Sequence, residues 1–437
     1  MEQTSKPKQW AAPFFAIWTG QALSLFGSSL AGFALVWWLT KTTGSATVLA
    51  TATLVAMLPQ ILLGPFAGAL VDRWNRRLVM IVADSLVALI SAWLAWLFWT
   101  GAMRTWHVYV IMLARALGGC FHWPAMQAST SLMVPKAHLS RVAGLNQTLN
   151  GGMNIVAPPL GALLLAALPL HGIMAIDVVT ASLAIVPLFF VLIPQPDRPP
   201  ATAGAAQAGA TLWQDLAEGL RYVWAWPGLR LLLFMAVVLN FVGYPAFSLI
   251  PILVTKHFGG QALQLGWMNS GWGIGVVLGG LTLGVWGGFR RRVYTSLVGL
   301  IAGGLAALAV GLAPAHALWL ALVGIFLAGF FNAITNGPLF AILQGTVDPR
   351  IQGRVFTVVG SVCAAMSPLG LAVAGPVADA FGVGTWFVVD GLSCVLMGVG
   401  AFFVPALVHL EDNHSKGRLP SQETPAITVT TEDLGLA

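Results

Sequence analysis

The sequence predicts an all-α membrane protein with twelve transmembrane helices in two pseudo-repeated six-helix bundles. Composition, the spacing of apolar runs and an internal echo support this. Hydrophobic residues make up 57% of the 437 positions and charged residues only 8%, with a mean hydropathy of +0.83. A chain this apolar has a bilayer as its natural solvent.

Windows of about 19 residues pick out apolar runs long enough to cross roughly 30 Å of hydrocarbon as helices. They fall near 14–39, 46–71, 78–99, 107–133, 142–168, 172–193, 229–255, 265–288, 293–313, 317–343, 355–379 and 385–408. The domain plan follows: a lead at 1–13, a bundle at 14–193, a linker at 194–228 whose first part, 194–211, is rich in Pro, Ala and Gly, a second bundle at 229–408 and a polar tail at 409–437, expected to be disordered. Within the linker, Leu212–Trp226 reads as an amphipathic segment on the membrane surface.

The basic residues set the orientation. Of 21, only Lys41, Arg104 and Lys256 fall on one side and Arg115 within a span, so the others share the side of both termini. That side is expected to be cytoplasmic, in a multi-pass protein of the inner (plasma) membrane. The net charge of +6 then reports topology, not nucleic-acid binding. Cys120, Cys363 and Cys394 lie inside predicted helices with no metal-site spacing, and no metal or other cofactor is expected. No nucleophile–base–acid set appears, so no enzyme is predicted.

Polar residues inside spans are the functional candidates. Helix 1 carries Gln21, Ser24 and Ser28 on one face, pointing to a wet cavity or to a neighbouring helix. In GPFAGALVDRWNRR, Gly64–Arg77, the paired glycines Gly64 and Gly68 would admit a close helix, and Asp72, Arg73, Arg76 and Arg77 crowd a short turn. Helix 3 holds Asp84. Helix 4 places Arg115, Gly118, His122 and Met126 on one face beside Trp123. A mid-span arginine requires an acidic partner, carbonyls or a water-filled cavity. Helix 5 repeats Asn146, Asn150 and Asn154 before Pro158 and Pro159, which free backbone carbonyls.

The second half echoes the first. Val134, Arg141 and Val142 match Val347, Arg354 and Val355, and Asp177 matches Asp390, at one constant offset. The counterpart of the charged turn, GLTLGVWGGFRRR at Gly280–Arg292, has the arginines but no acid. The whole pattern predicts a secondary transporter with its site between the halves. Proton-coupling candidates are Arg115, Asp177, Asp84, His122 and Asp390. Cavity candidates are Gln21, Ser24, Trp123, Met126, Asn146, Asn150, Asn154, Asn240, Tyr244, Asn332 and Asn336.

The pattern G-x-x-x-D-R-x-x-R-R from Gly68 to Arg77 resembles the helix 2–3 loop signature of the major facilitator superfamily, with Asn75 where that motif carries glycine. IWTGQALSL (17–25), KTTGSATVL (41–49), RALGGCFHWPA (115–125), AIDVV (175–179) and GRVFTVVGS (353–361) resemble its macrolide-efflux branch. The resemblance implies proton-driven export of amphiphilic, macrolide-like drugs, with helices 1, 4, 7 and 10 around a central cavity. It gives Arg115 a role in proton transfer. It also makes the stretch from Gly68 to Arg77, with Asp72 and Arg73, a cytoplasmic gate that latches the outward-open state. The helix 5 antiporter motif is degraded: Gly144, Pro158 and Gly161 fit it, while Met153, Ala157 and Ala162 replace glycines. Asp177 is expected to pair with Arg115, either for coupling or as an anchor of the bundle. Export of an endogenous metabolite, such as a siderophore or lipid, and a non-transporting membrane sensor are the competing readings. The partners expected are the small amphiphile, protons and the bilayer, for a monomeric chain.

Overall fold

The computed structural model describes residues 10–195, 217–347 and 351–408, without the side chains of Pro65, Ala69, Asp72 and Lys136. The tail and most of the lead and linker lie outside the described residues. Residues 217–225 of the expected surface segment are helical, with Gly219 and Val223 on the buried side.

Twelve helices of 20 to 33 residues dominate the described fold, with short helical segments at Ile250–Ile252, Leu253–His257 and Pro405–Val408. In chain order they are α1 (Ala11–Thr43), α2 (Ala46–Arg73), α3 (Arg76–Trp99), α4 (Thr105–Met133), α5 (Lys136–Ala167), α6 (Leu170–Phe190), α7 (Pro227–Ser248), α8 (Ala262–Trp286), α9 (Arg292–Gly311), α10 (Leu318–Thr346), α11 (Gln352–Phe381) and α12 (Val383–Phe402). Among the described residues, eleven are long and apolar enough to cross a membrane. The exception is α4, where Arg115, two histidines and two glycines dilute the apolar residues. It is nevertheless packed between α2 and α3 as a full member of its bundle. Many large apolar side chains face outward, among them Leu62, Val82, Leu89 and Val285. Lipid tails satisfy such a surface where water would not.

Local chemistry sets the helix ends. Ser45 caps α2 by accepting from Val48 N, and Gly44, at φ 57°, supplies the left-handed end of α1. Asn75, the departure from the loop signature, caps α3: its Oδ1 accepts from Arg77 N and Leu78 N.

Both halves use the same helix pairings: α2–α4, α3–α4, α3–α6, α1–α5 and α1–α6 recur as α8–α10, α9–α10, α9–α12, α7–α11 and α7–α12. The halves meet along two main seams, α2 with α11 and α5 with α8. Both seams are tight at the charge-poor end, where Gly44 and Ser45 link α1 to α2. A single core there joins Leu30, Leu35 and Leu39 of the first half to Leu249, Ile250 and Leu253 of the second. Among the described residues, every buried cluster at the opposite, arginine-rich end belongs to one half. Ile17, Val71, Met80 and Leu188 form one, and Met235, Val293, Leu297 and Ile342 another. The molecule is therefore sealed at the charge-poor end and divided at the basic end.

Candidate functional site

The α5–α8 seam shows how sequence dictates contact. Pro159 has no N–H to offer Ile155, so that carbonyl needs another donor. Ser270 of α8 supplies it, at 2.5 Å. Gly266 brings α8 onto Pro158 and Pro159, and Gly273 brings it onto Ile155. On the α2–α11 seam, Gly375 lies against Thr47 and Ala50. Next to it the Asp379 carboxylate accepts from Ser45 Oγ at 2.8 Å, Ala46 N at 2.8 Å and Thr47 N at 2.9 Å. A carboxylate at a helix N-terminus meets unpaired N–H groups and the positive end of the helix dipole.

Two polar clusters lie inside the first half. In the first, Arg115 Nη1 is 2.6 Å from Asp177 Oδ2, the pairing expected from the sequence. Asp177 is fully buried and also accepts from Ser28 Oγ at 2.9 Å and Ser91 Oγ at 2.6 Å. Ser91 Oγ in turn accepts from Arg115 Nη1 at 2.8 Å. One acid thus ties together α1, α3, α4 and α6, with its charge compensated on the spot. In the second cluster, Gln21 Nε2 donates to Asp84 Oδ2 at 2.7 Å, and His122 Nε2 lies 3.3 Å from Asp84 Oδ1. That approach is close enough for charge attraction, yet His122 Nε2 is buried without an aligned hydrogen bond. The Asp84–His122 pair is therefore less saturated than the Asp177 cluster.

The second half holds a cavity of about 490 Å³ between α7, α9, α10 and α12. Its polar lining includes Asn240, Tyr244, Asn332, Asn336 and Asp390, all sequence candidates. Asn240 Nδ2 donates to Ala236 O and Asn336 Nδ2 to Asn332 O, each within its own helix. Asp390 has Cys394 Sγ at 3.8 Å on the next turn.

Other candidates sit elsewhere. Gln21 and Ser24 are buried inside the first half, and Met126 packs in the apolar cluster with Ile17 and Met80. The α4 face of Arg115, Gly118 and His122 turns toward α3 and α6, because its charges find their partners there. Asn146 accepts from Trp18 Nε1 at 2.7 Å. Asn150 is half-buried, and Asn154 and Trp123 are exposed. At the charged turn, Gly68 faces open space and Gly64 meets only Gln60 of its own helix, so the expected close helix is absent around these two described residues. Arg77 is tied to the end of α6, donating to Leu188 O and, at 2.7 Å, to Phe189 O. Arg76 is buried, with Nη1 3.5 Å from Ala128 O, and Arg73 is exposed. The Asp72 side chain lies outside the description. Sequence reading left out Ser91 and the capping role of Asp379. The first carries no signal beyond a hydroxyl in an apolar run, and the second depends on a helix end in the other half.

Twelve long helices in two repeated halves, joined at one end and holding buried charges, define a two-bundle membrane transporter. Residues 17–259 and 232–433 each match the Major Facilitator Superfamily, and the chain belongs to that family. It is 31% identical over 395 residues to macrolide efflux protein A of Streptococcus pyogenes, covering 90% of this chain and 96% of the relative. It is likewise 31% identical over 400 residues to the multidrug efflux pump Tap of Mycolicibacterium fortuitum, covering 88% and 94%. The fold is similar to that of a bacterial homolog of the human lysosomal transporter Spinster, with a TM-score of 0.68 at 13% identity over 95% of this chain and 100% of that one. The nucleoside transporter NupG gives 0.61 at 13% identity over 87% and 97%.

Proposed function

We propose that the chain exports bulky amphiphilic, macrolide-like drugs from the cytoplasm by proton antiport. The observation that carries the transport mechanism is the one-ended join: a core shared at the charge-poor end and separate cores at the basic end. With the arginine-rich end in the cytoplasm, this is the inward-open half of an alternating-access cycle, and the opposite state requires the seams to exchange ends. The efflux relatives supply the substrate class and the direction.

Asp84 and His122 are the coupling site this reading favours, since both can carry a proton and neither is saturated by fixed donors. Asp177, enclosed by Arg115 and two serines, acts as an anchor.

Expression in a pump-deleted bacterial host, with susceptibility measured across macrolides, dyes and fluoroquinolones, tests the export reading. Reduced macrolide susceptibility is expected, and no change for any compound at normal membrane abundance overturns it. In inverted vesicles, Asp84→Asn is expected to abolish uptake driven by a proton gradient. Full proton-driven uptake by that variant would remove Asp84 from the coupling site.

A further inference from the structure

The internal repeat allows a comparison that neither half offers alone. Helix α4 spans Thr105–Met133 and α10 spans Leu318–Thr346, an offset of 213 residues with no insertion. The same offset carries α6 onto α12 and places Asp390 where the first half has Asp177. In the first half that acid is held by Ser28, Ser91 and Arg115. At the positions equivalent to Ser91 and Arg115, the second half has Gly304 and Ala328. Gly27 in α1 and Gly243 in α7 each lie against their acid, and the residues that follow them are Ser28 and Tyr244. Two of the three donors are therefore gone, the guanidinium among them. Gly304, Ala328, Tyr244 and Asp390 all line the cavity.

Among the described residues that line it, Asp390 is the only carboxylate and none is lysine, arginine or histidine; the other titratable members are Cys394 and Tyr244. A carboxylate at this depth has a strong demand for a cation. The first half shows how the same framework meets that demand, with a cationic nitrogen 2.6 Å from the acid. We propose that the second-half cavity is a cation site, in which the ammonium of a lipophilic substrate takes the place beside Asp390 that Arg115 takes beside Asp177. The apolar body of the substrate lies against α7, α8 and α10, between residues such as Phe247, Trp272 and Phe331. The site deepens the export reading and rests on it for the substrate: it selects protonated amines over neutral molecules of the same shape.

Binding to the purified full-length chain in detergent at neutral pH tests the proposal. The probes are erythromycin, which carries a protonated tertiary amine, its N-oxide, which has no net charge, and tetraphenylphosphonium, a permanent cation unrelated to macrolides. Wild type is expected to bind both cations and to bind the N-oxide at least about tenfold more weakly than erythromycin. Asp390→Asn is expected to weaken both cations by roughly ten- to a hundredfold and leave the N-oxide unchanged. Ala328→Arg, which restores the first half's arginine, should pair with Asp390 and exclude both cations, and it decides the matter if the asparagine variant fails to fold. Equal binding of erythromycin and its N-oxide, full cation binding by Asp390→Asn, or no cation binding by wild type overturns the cation site. Macrolide export that persists without dependence on Asp390 sinks this inference and leaves the export reading standing. Tetraphenylphosphonium binding that requires Asp390, with neither macrolide form bound, supports the cation site and counts against the macrolide reading.

Discussion

The carboxylate of Asp379, in the second half, accepts a hydrogen bond from the hydroxyl of Ser45, in the first, at 2.8 Å. It also takes the first two N–H groups of α2, so a residue at the end of α11 completes the cap of a helix in the other bundle. This cap exists only while the halves are closed at that end.

Asp379→Ala is therefore expected to favour opening there. Removing a cap of this kind costs about 1 kcal/mol, which shifts the equilibrium by roughly fivefold. Spin labels on Ala102 and Ala315, both exposed on loops at that end, report it as a larger long-distance population. An unchanged distance distribution would show that the cap contributes nothing to the seal.

Glycines divide into those between halves and those within one. A side chain at Gly375 would meet Thr47 and Ala50 across the seam, whereas one at Gly275 would meet the backbone of Phe326 and Phe330 within the second half. Gly375→Val should keep its melting temperature but lose transport, because the seam cannot close. Gly275→Val should lower the melting temperature through overpacking of about 1–3 kcal/mol. Equal melting behaviour of the two variants would contradict this division.

Arg115→Ala leaves Asp177 buried without its counter-charge, at an expected cost of about 3–5 kcal/mol. The double replacement Arg115→Met with Asp177→Leu removes both charges and should recover most of that loss in thermal unfolding. Transport by the recovered double variant would establish the pair as an anchor. Its loss, in a protein as stable as wild type, would return Asp177 to the coupling pathway.

Asp72 lies in the loop signature, at the C-terminal end of α2. Asp72→Asn is expected to slow turnover while leaving macrolide affinity within about twofold, since it acts on the balance of states. A large loss of affinity in equilibrium binding would refute the gate assignment.

Much of the fold was legible because it depends on local quantities. Run length and hydropathy along the chain located all twelve helices, α4 among them, although Arg115 and its polar neighbours leave it short of the apolar character the other eleven reach. The offset between Asp177 and Asp390 exposed the repeat. The Arg115–Asp177 pair could be expected because a mid-span arginine needs an acid and few acids were at hand. The Asp84–Gln21 bond was not foreseen, since helix 1 read equally well as lining a cavity. Gly64 and Gly68 misled for a related reason: small residues permit a close helix, but in this state no neighbouring helix comes to them.

The sequence by itself determined the membrane class, the twelve spans, the two halves and the presence of intramembrane charges, because each follows from composition and spacing along the chain. Only the tertiary structure decided which partner each charge has and which end is sealed. The rotation of a helix about its axis, and the end at which two bundles touch, are set by packing between segments far apart in sequence. Asp177 and Asp390 occupy equivalent positions, yet one is enclosed by an arginine and two serines and the other faces a cavity.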